Sequence, residues 1–184
     1  TLLTGNLILP NSLQKIGDDA FYRCEKLTGN LIIPNSVVNM GEYAFYSCSG
    51  FDGLLTLSSE LTRIPAGCFF ATGFSGNLII PDNVKYIGNE AFTSCYNGYL
   101  LIGRGVAGNG TNSGTITIGD LAFSKNSSPI FRKVYTKASL PPHISSTTFG
   151  TRDWNYINLY VPIGAKEIYQ NLSYWEKCGS IEEV

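Results

Sequence analysis

Hydrophobic and polar positions recur along the first half of the chain at an almost constant interval. Each recurring unit opens with a glycine and carries a phenylalanine near its end. These phenylalanines are Phe21, Phe45, Phe69 and Phe92, which lie 24, 24 and 23 residues apart. A fixed interval of this size is typical of a solenoid, in which each copy forms one turn of a coil. One copy cannot bury its own apolar face, so we expect neighbouring copies to stack and share one core.

Each copy begins with a short run of β-forming residues after its glycine, and in three copies the run ends at a proline. This punctuation predicts strands of four or five residues at 6–10, 30–34, 54–58 and 77–81. Side chains alternate between the two faces of a strand. The positions predicted to point inward are Leu7, Leu9, Leu31, Ile33, Leu55, Leu57, Leu78 and Ile80. Those predicted to point outward are Asn6, Ile8, Asn30, Ile32, Leu54, Thr56, Asn77 and Ile79.

The rest of each copy supplies further apolar positions at matching places, followed by a turn and then the phenylalanine. Between these positions lie Asn, Ser, Asp, Lys and Glu, which we expect to face solvent. The predicted inward columns are Leu13, Val37, Leu61 and Val84, and then Ile16, Met40, Ile64 and Ile87.

The regular interval is lost after Cys95. A strand is predicted at 99–102, followed by a Gly- and Asn-rich insertion at 103–114. Residues 118–123, which read IGDLAF, match the second half of a fifth copy. Another strand is predicted at 133–136. Insertions within a repeat usually form loops.

The last part of the chain predicts a cap for the end of the coil, which solenoids need to cover their last core layer. A strand is predicted at 156–161, a helix at 165–175 and a last short strand at 180–184. The helix places Ile168, Leu172 and Trp175 on one face at the spacing of an amphipathic helix. We expect this face to cover the core.

The segments LIIPNSVVNMGEYAFYSC and LIIPDNVKYIGNEAFTSC carry a pattern that resembles the BspA-type leucine-rich repeat of bacterial surface proteins. The third copy departs from it, with Ser58, Pro65 and Cys68 in place of Pro, Gly and Ala. The resemblance implies an α/β-type repeat solenoid, a right-handed coil of about five to six turns with short parallel strands. We expect one domain over 1–184, with regular repeats at 5–96, irregular repeats at 97–150 and the strand-helix cap at 151–184.

Composition excludes some function classes. The formal net charge is −1 and Lys and Arg form no run, so the chain lacks the basic surface typical of nucleic-acid binding. No apolar stretch is long enough to span a bilayer.

Cys24, Cys48 and Cys95 hold the same place in their copies, where the third copy has Thr72. A position that accepts Cys or Thr is typical of a small buried side chain. Adjacent strands lie about 4.8 Å apart, so a disulfide between Cys24 and Cys48 remains an alternative.

Two motifs with possible chemistry favour a structural interpretation. Residues 103–108 spell GxGxxG after a predicted strand, but a dinucleotide site also needs a helix there, and the Asn- and Gly-rich residues that follow do not favour one. His143 is the single histidine, which excludes a multi-histidine metal site, and no spacing pairs it with a nucleophile. We therefore predict no enzyme, no cofactor and no metal site.

The outward face of the predicted sheet is the main candidate for binding, because an exposed apolar stripe bordered by polar groups is typical of interaction sites. The alternative is that β-branched residues there only stabilise the sheet. A second candidate is the Tyr- and Gly-rich insertion at 96–114, since long loops often carry function. The candidate surface consists of Asn6, Ile8, Asn30, Ile32, Thr56, Asn77, Ile79, Tyr96, Tyr99 and Leu101.

The resemblance implies a non-enzymatic adhesion module on a secreted or cell-surface bacterial protein. Its expected partners are host proteins, proteins of neighbouring cells or matrix proteins. We expect the chain to come from a longer precursor whose leader is not part of this sequence. Two alternatives stay open: a carbohydrate-binding module, suggested by Tyr96 and Tyr99 near the Asn-rich insertion, and a structural spacer that displays another domain.

Overall fold

The computed structural model describes residues 3–95, 98–105, 115–126 and 128–184, which form a coil of about seven turns built from short parallel strands. The strands, in chain order, are β1 (Thr4–Asn6), β2 (Lys15–Ile16), β3 (Lys26–Thr28), β4 (Leu31–Ile32), β5 (Asn39–Met40), β6 (Leu55–Thr56), β7 (Arg63–Ile64), β8 (Leu78–Ile79), β9 (Tyr86–Ile87), β10 (Leu100–Ile102), β11 (Thr117–Ile118), β12 (Ser124–Lys125), β13 (Ser128–Pro129), β14 (Lys133–Thr136), β15 (Asn158–Val161) and β16 (Ser180–Glu183). The described residues also form one α-helix, α1 (Lys166–Gln170), and two 3-10 segments, Trp154–Tyr156 and Trp175–Lys177.

Most of the strands form two columns along the coil, and the pair β1 with β3 and the antiparallel pair β12 with β13 lie outside them. In the first column β4 pairs with β6, and β8, β10, β14, β15 and β16 form a five-stranded parallel sheet. In the second column β2 pairs with β5, and β7, β9 and β11 form a three-stranded parallel sheet. The sequence pattern predicted the first column but not the second, and it predicted longer strands than the two residues that most copies contain.

The first copy differs from its predicted strand at 6–10. Only Asn6 of that run is in a strand, because β1 ends there and pairs with β3 rather than with the first column. Leu7 and Leu9 are half-buried, whereas the equivalent Leu31 and Ile33 are fully buried between neighbouring turns. Covering a turn on both sides is therefore what completes its burial.

A stack of aromatic rings runs through the core of the coil. Successive ring centroids lie 4.9, 5.5, 5.4, 5.7 and 5.5 Å apart through the series Phe21, Phe45, Phe69, Phe92, Phe123 and Phe149. Trp175 closes the series in an edge-to-face contact at 5.9 Å. All of these rings are buried except that of Phe21, which is half-buried. The predicted shared core is confirmed, with more turns than the expected five to six.

A tight turn surrounds the phenylalanine of each copy. Tyr43 and Ser47 adopt left-handed backbone conformations, with φ values of 56° and 54°, which L-residues avoid without support. Hydrogen bonds to the next turn provide it, since the N–H of Phe45 donates to Cys68 O and that of Ser47 to Phe70 O, at 2.9 and 2.7 Å. The backbone can therefore change direction within a few residues while it stays hydrogen-bonded to the following turn of the coil.

Gly41, which directly follows β5, packs closely against the preceding turn. A Cβ atom at Gly41 would collide with the backbone of Gly17 and Asp18 in the preceding turn. At Gly17, which occupies the same place one copy earlier, a Cβ would meet nothing within 4 Å. Glycine at position 41 is therefore required by packing between turns, whereas the third copy has the buried Pro65 at the equivalent place.

The C-terminal cap contains less helix than predicted. The helix covers Lys166–Gln170 rather than 165–175, and Tyr174 at φ 77° interrupts the path to Trp175. Ile168 and Leu172, predicted to face the core, are 42% and 43% exposed. Tyr169 is buried instead, because its hydroxyl donates to Ala138 O at 2.9 Å and so keeps its polar end satisfied.

The thiols of Cys24, Cys48, Cys68 and Cys95 are free and buried, as predicted for the three that share a repeat position. Cys48 Sγ donates to the carbonyl oxygen of Phe21 at 3.0 Å, and burial raises the pKa of Cys48 to about 12. Thr72 Oγ1 instead donates within its own turn, to Phe69 O at 3.0 Å. The position accepts either residue because it needs a small side chain with one donor.

Candidate interaction surface

The outward face of the first strand column exposes aliphatic side chains on a hydrogen-bonded framework. Ile8, Ile32 and Ile79 are 87%, 61% and 52% exposed, whereas the residues on either side of Ile32 and Ile79 are buried. In register, Ile32 lies opposite Thr56, which is exposed, and Ile79 lies opposite Leu101, which is half-buried. The alternation of faces therefore agrees with the predicted one.

The asparagines beside this row hold the turns together. The N–H of Leu54 donates to Asn30 Oδ1 at 2.7 Å, and the N–H of Tyr99 donates to Asn77 Oδ1 at 3.1 Å. The Asn6 side chain lies against Gly29, where a Cβ atom would collide with it. These amides were predicted only as a polar border. The signal for the bridging role was Asn directly after glycine in three of the four copies.

Toward the C-terminus the same row changes from aliphatic to aromatic. Leu101 lies opposite Tyr135, which lies opposite Tyr160, which lies opposite Glu182. The rings of Tyr135 and Tyr160 stack with centroids 4.4 Å apart, and Tyr99 meets Tyr135 edge to face at 5.3 Å.

Of these tyrosines, only Tyr99 belonged to the predicted surface. Tyr135 and Tyr160 were missed because the repeat interval is lost before them, so their register could not be read. The usable signal was the matching alternation of Lys-Val-Tyr-Thr at 133–136 and Asn-Leu-Tyr-Val at 158–161.

Part of the predicted surface lies outside the described residues. Tyr96 is among them, as is most of the insertion at 96–114. Of the GxGxxG motif, Gly103 is described and buried, and a Cβ there would lie 2.6 Å from Pro81 O. Contact with the preceding turn thus accounts for this glycine without a bound nucleotide.

A shallow hollow of about 340 Å³ lies at the N-terminal end of the exposed row. Its lining combines apolar side chains with amides, and includes Asn6, Ile8, Asn11, Asn30, Ile32 and Pro34. The hollow is open to solvent and no titratable side chain lines it. It could therefore contact a partner, but it contains no acid, base or nucleophile for catalysis.

The described residues contain no cluster of three His, Cys, Asp or Glu side chains able to hold a metal ion. His143 is exposed, and its backbone extends the second column by pairing with Thr117. Burial raises the pKa of Cys95 to about 11, which keeps this thiol protonated at neutral pH. No helix in the described ranges is both long enough and apolar enough to cross a bilayer.

Comparisons with known proteins agree with this architecture. The family model described as "BspA type Leucine rich repeat region (6 copies)" matches residues 3–105. A leucine-rich repeat protein from Bacteroides ovatus ATCC 8483, known from a crystal structure, is similar in fold with a TM-score of 0.53 and 21% sequence identity. The alignment covers 83% of this chain and 44% of that protein, so the chain spans less than half of its length. No curated protein sequence matches the chain.

Proposed function

Because the chain belongs to the BspA-type leucine-rich repeat family, we propose that it is a non-enzymatic adhesion module whose outward sheet face binds a protein. The family membership and the fold support an interaction or structural repeat module. The proposed partners are host proteins, proteins of neighbouring cells or matrix proteins. The proposed location is the cell surface or the extracellular space.

The exposed row of Ile8, Ile32 and Ile79 is the observation that carries this proposal. Ile32 and Ile79 lie on the outward face of the first strand column, with Thr56 in the copy between them, and Ile8 of the first copy lines a hollow together with Ile32. Asn6, Asn30 and Asn77 lie beside these side chains. An apolar row with a polar border is typical of protein contact surfaces.

The rigidity of the framework favours tight binding through a small area. Inter-turn bonds hold the backbone on both sides of Ile32, since Leu31 N donates to Leu54 O and Ile33 N to Thr56 O, each at 2.9 Å. A surface that is ordered before contact loses little conformational entropy on binding.

A purified-chain pull-down from solubilised extracellular matrix and host cell-surface protein tests the proposal. The double variant Ile32→Ser with Ile79→Ser should weaken capture of the retained protein at least tenfold, because it removes apolar contact area from the centre of the row. Its thermal midpoint should stay within a few degrees of the wild type, since both side chains already face solvent.

Val38→Ser is the matched control, because Val38 is an exposed β-branched residue outside the sheet face. It should leave capture unchanged. Capture that survives the double variant would place the contact elsewhere. If the chain captures no protein from any source, the structural spacer becomes the better description.

A further inference from the structure

Strand β4 has an open edge on the side of the first copy. On its other side the N–H of Leu31 donates to Leu54 O and that of Ile33 to Thr56 O, each at 2.9 Å. Successive main-chain groups of a strand point to alternate sides, so the N–H and C=O of Ile32 point toward the first copy. Among the described residues no strand pairs with β4 on that side. The main chain at Ile32 therefore offers one donor and one acceptor to a further strand.

The path of the first copy explains why this edge is open. Asn6 of β1 lies opposite Thr28, 22 residues later, whereas Ile16 of β2 lies opposite Met40, 24 residues later. Between these two pairings the first copy thus covers the same part of the coil with two residues fewer than the second copy. Residues 7–14 pass β4 without forming a strand. The first copy consequently leaves out the strand that would have closed the edge.

The hollow of about 340 Å³ lies beside this open edge. Its lining includes Ile32 and Pro34 of the second copy together with Leu7, Ile8 and Leu9 of the first. Ile8 is 87% exposed, and Leu7 and Leu9 are half-buried, so apolar surface remains uncovered here. Unused main-chain groups and uncovered apolar side chains therefore occur together.

This combination indicates an extended peptide segment as the occupant. A strand that adds to a sheet edge is held by main-chain hydrogen bonds, and its alternate side chains enter pockets beside the edge. No charged side chain lines the hollow. A charged side chain of the peptide would lose its hydration there without gaining a partner of opposite charge. The side chains that enter the hollow should therefore be uncharged and apolar.

We propose that a protein partner adds an extended, uncharged segment as a strand to the open edge of β4, with apolar side chains in the hollow. The inference rests on the proposed function, because it names how a partner of the outward sheet face is held. The Ile32 N–H donates to the added strand and Ile32 O accepts from it. Ile79 takes no part, since it belongs to another sheet and does not line the hollow.

A phage-displayed library of random heptapeptides, selected on the immobilised chain, supplies the probe. We expect the selected peptides to be uncharged and rich in β-branched residues. The best of them, prepared synthetically, should shift the backbone amide signal of Ile32 in NMR spectra of the chain. The same peptide methylated at alternate backbone nitrogens should bind at least tenfold more weakly, because it lacks the donors that pair with a strand edge.

Two variants of the chain locate the contact. Ile32→Pro removes the N–H at the open edge and should weaken peptide binding at least tenfold. Proline is tolerated at such a position, where the N–H of an edge strand faces away from its sheet, and circular dichroism checks that the variant is folded. Ile79→Ser is the matched control, because Ile79 is also exposed on the sheet face. It should bind the peptide like the wild type.

Several results would overturn the proposal. They are a library without any selected peptide, selection of charged peptides, and equal binding of the methylated and unmethylated peptides. Strong protection of the Ile32 amide from hydrogen exchange in the free chain would show that residues 7–14 close the edge themselves. A shift of that amide on raising the chain concentration without peptide would assign the edge to a second copy of this chain. Capture of whole proteins by the isoleucine row is measured separately, by the pull-down with the double variant.

Discussion

In residues 5–95 the coil is built from near copies of one unit, whereas residues 115–184 reach the same architecture with few of its recurring residues. The core rings show the difference, since Phe45 and Phe69 stack with an interplanar angle of 4°, Phe123 and Phe149 with 26°, and Trp175 is edge-on. The inward positions carry buried apolar side chains in both regions, because each turn must pack against the next. The outward row is free of that requirement and changes from isoleucine to tyrosine.

The contrast between the two regions indicates at which positions a substitution can change binding without disturbing the fold. A substitution at an inward position disturbs two neighbouring turns at once. A substitution at an outward position alters one point of the surface while the framework stays intact. Binding specificity in such a coil is therefore expected in the outward rows, and the two regions present two different chemistries there.

The largest effect is expected where the two regions meet. Phe92 contacts Phe69 at 5.4 Å on the regular side and Phe123 at 5.7 Å on the irregular side. Phe92→Ala should lower the free energy of unfolding by about 3–5 kcal/mol, measured by denaturant titration. Phe21→Ala, at the half-buried end of the stack, should cost only about 1–2 kcal/mol. Equal losses of unfolding free energy in the two variants would mean that a second stacked neighbour does not add to the stability that a phenylalanine provides.

A smaller effect separates two equivalent glycines. Gly41→Ala introduces a methyl group against the backbone of the preceding turn and should cost about 1–3 kcal/mol. Gly17→Ala, at the same place in the first copy, meets open space and should change stability by less than about 0.5 kcal/mol. Thermal melts of both variants make the comparison, and a destabilised Gly17→Ala would show that backbone conformation rather than packing selects this glycine.

The smallest effect concerns an acid in the irregular region. Asp120 accepts hydrogen bonds from Ser145 Oγ and Thr147 Oγ1, which lower the pKa of its carboxyl group. A lowered folded-state pKa contributes stability above the unfolded-state pKa of about 4, and this is lost as pH falls through the folded value.

For this exposed group the contribution should stay below about 1 kcal/mol. Asp120→Asn should therefore be slightly less stable than wild type at pH 7. The gap should shrink in denaturant titrations below pH 4. A gap that is the same at pH 7 and pH 3 would contradict this role of the carboxylate.

The sequence allowed the inward columns and the shared aromatic core to be predicted, because Leu31, Ile33 and Phe45 recur in register across copies. The second strand column was not predictable from Lys15–Ile16 or its equivalents. A strand of only two residues is too short to show an alternation of apolar and polar positions. Such a strand forms because of its hydrogen bonds to a turn more than twenty residues away. The helix in the cap was overestimated because a spacing of four and three residues does not reveal a break such as the one at Tyr174.

The aliphatic part of the candidate surface and Tyr99 were predicted from the sequence, whereas Tyr135 and Tyr160 were not. Ile8, Ile32 and Ile79 follow directly from alternation within recognisable copies. Tyr135 and Tyr160 meet only because β14 and β15 pair in a register that the irregular spacing conceals. The recurrence of Asn after glycine marks Asn30 and Asn77, but their bridging role depends on distances between turns.

Amide hydrogen exchange on wild type and Phe92→Ala tests the central claim, that one continuous stack of turns supports both regions. The two strand pairs that report on it are β4 with β6 and β14 with β15. The account predicts that the substitution lowers protection in both pairs together, because each turn is stabilised by its neighbours. Unchanged protection in either pair would contradict it, since that region would then be held by a core of its own.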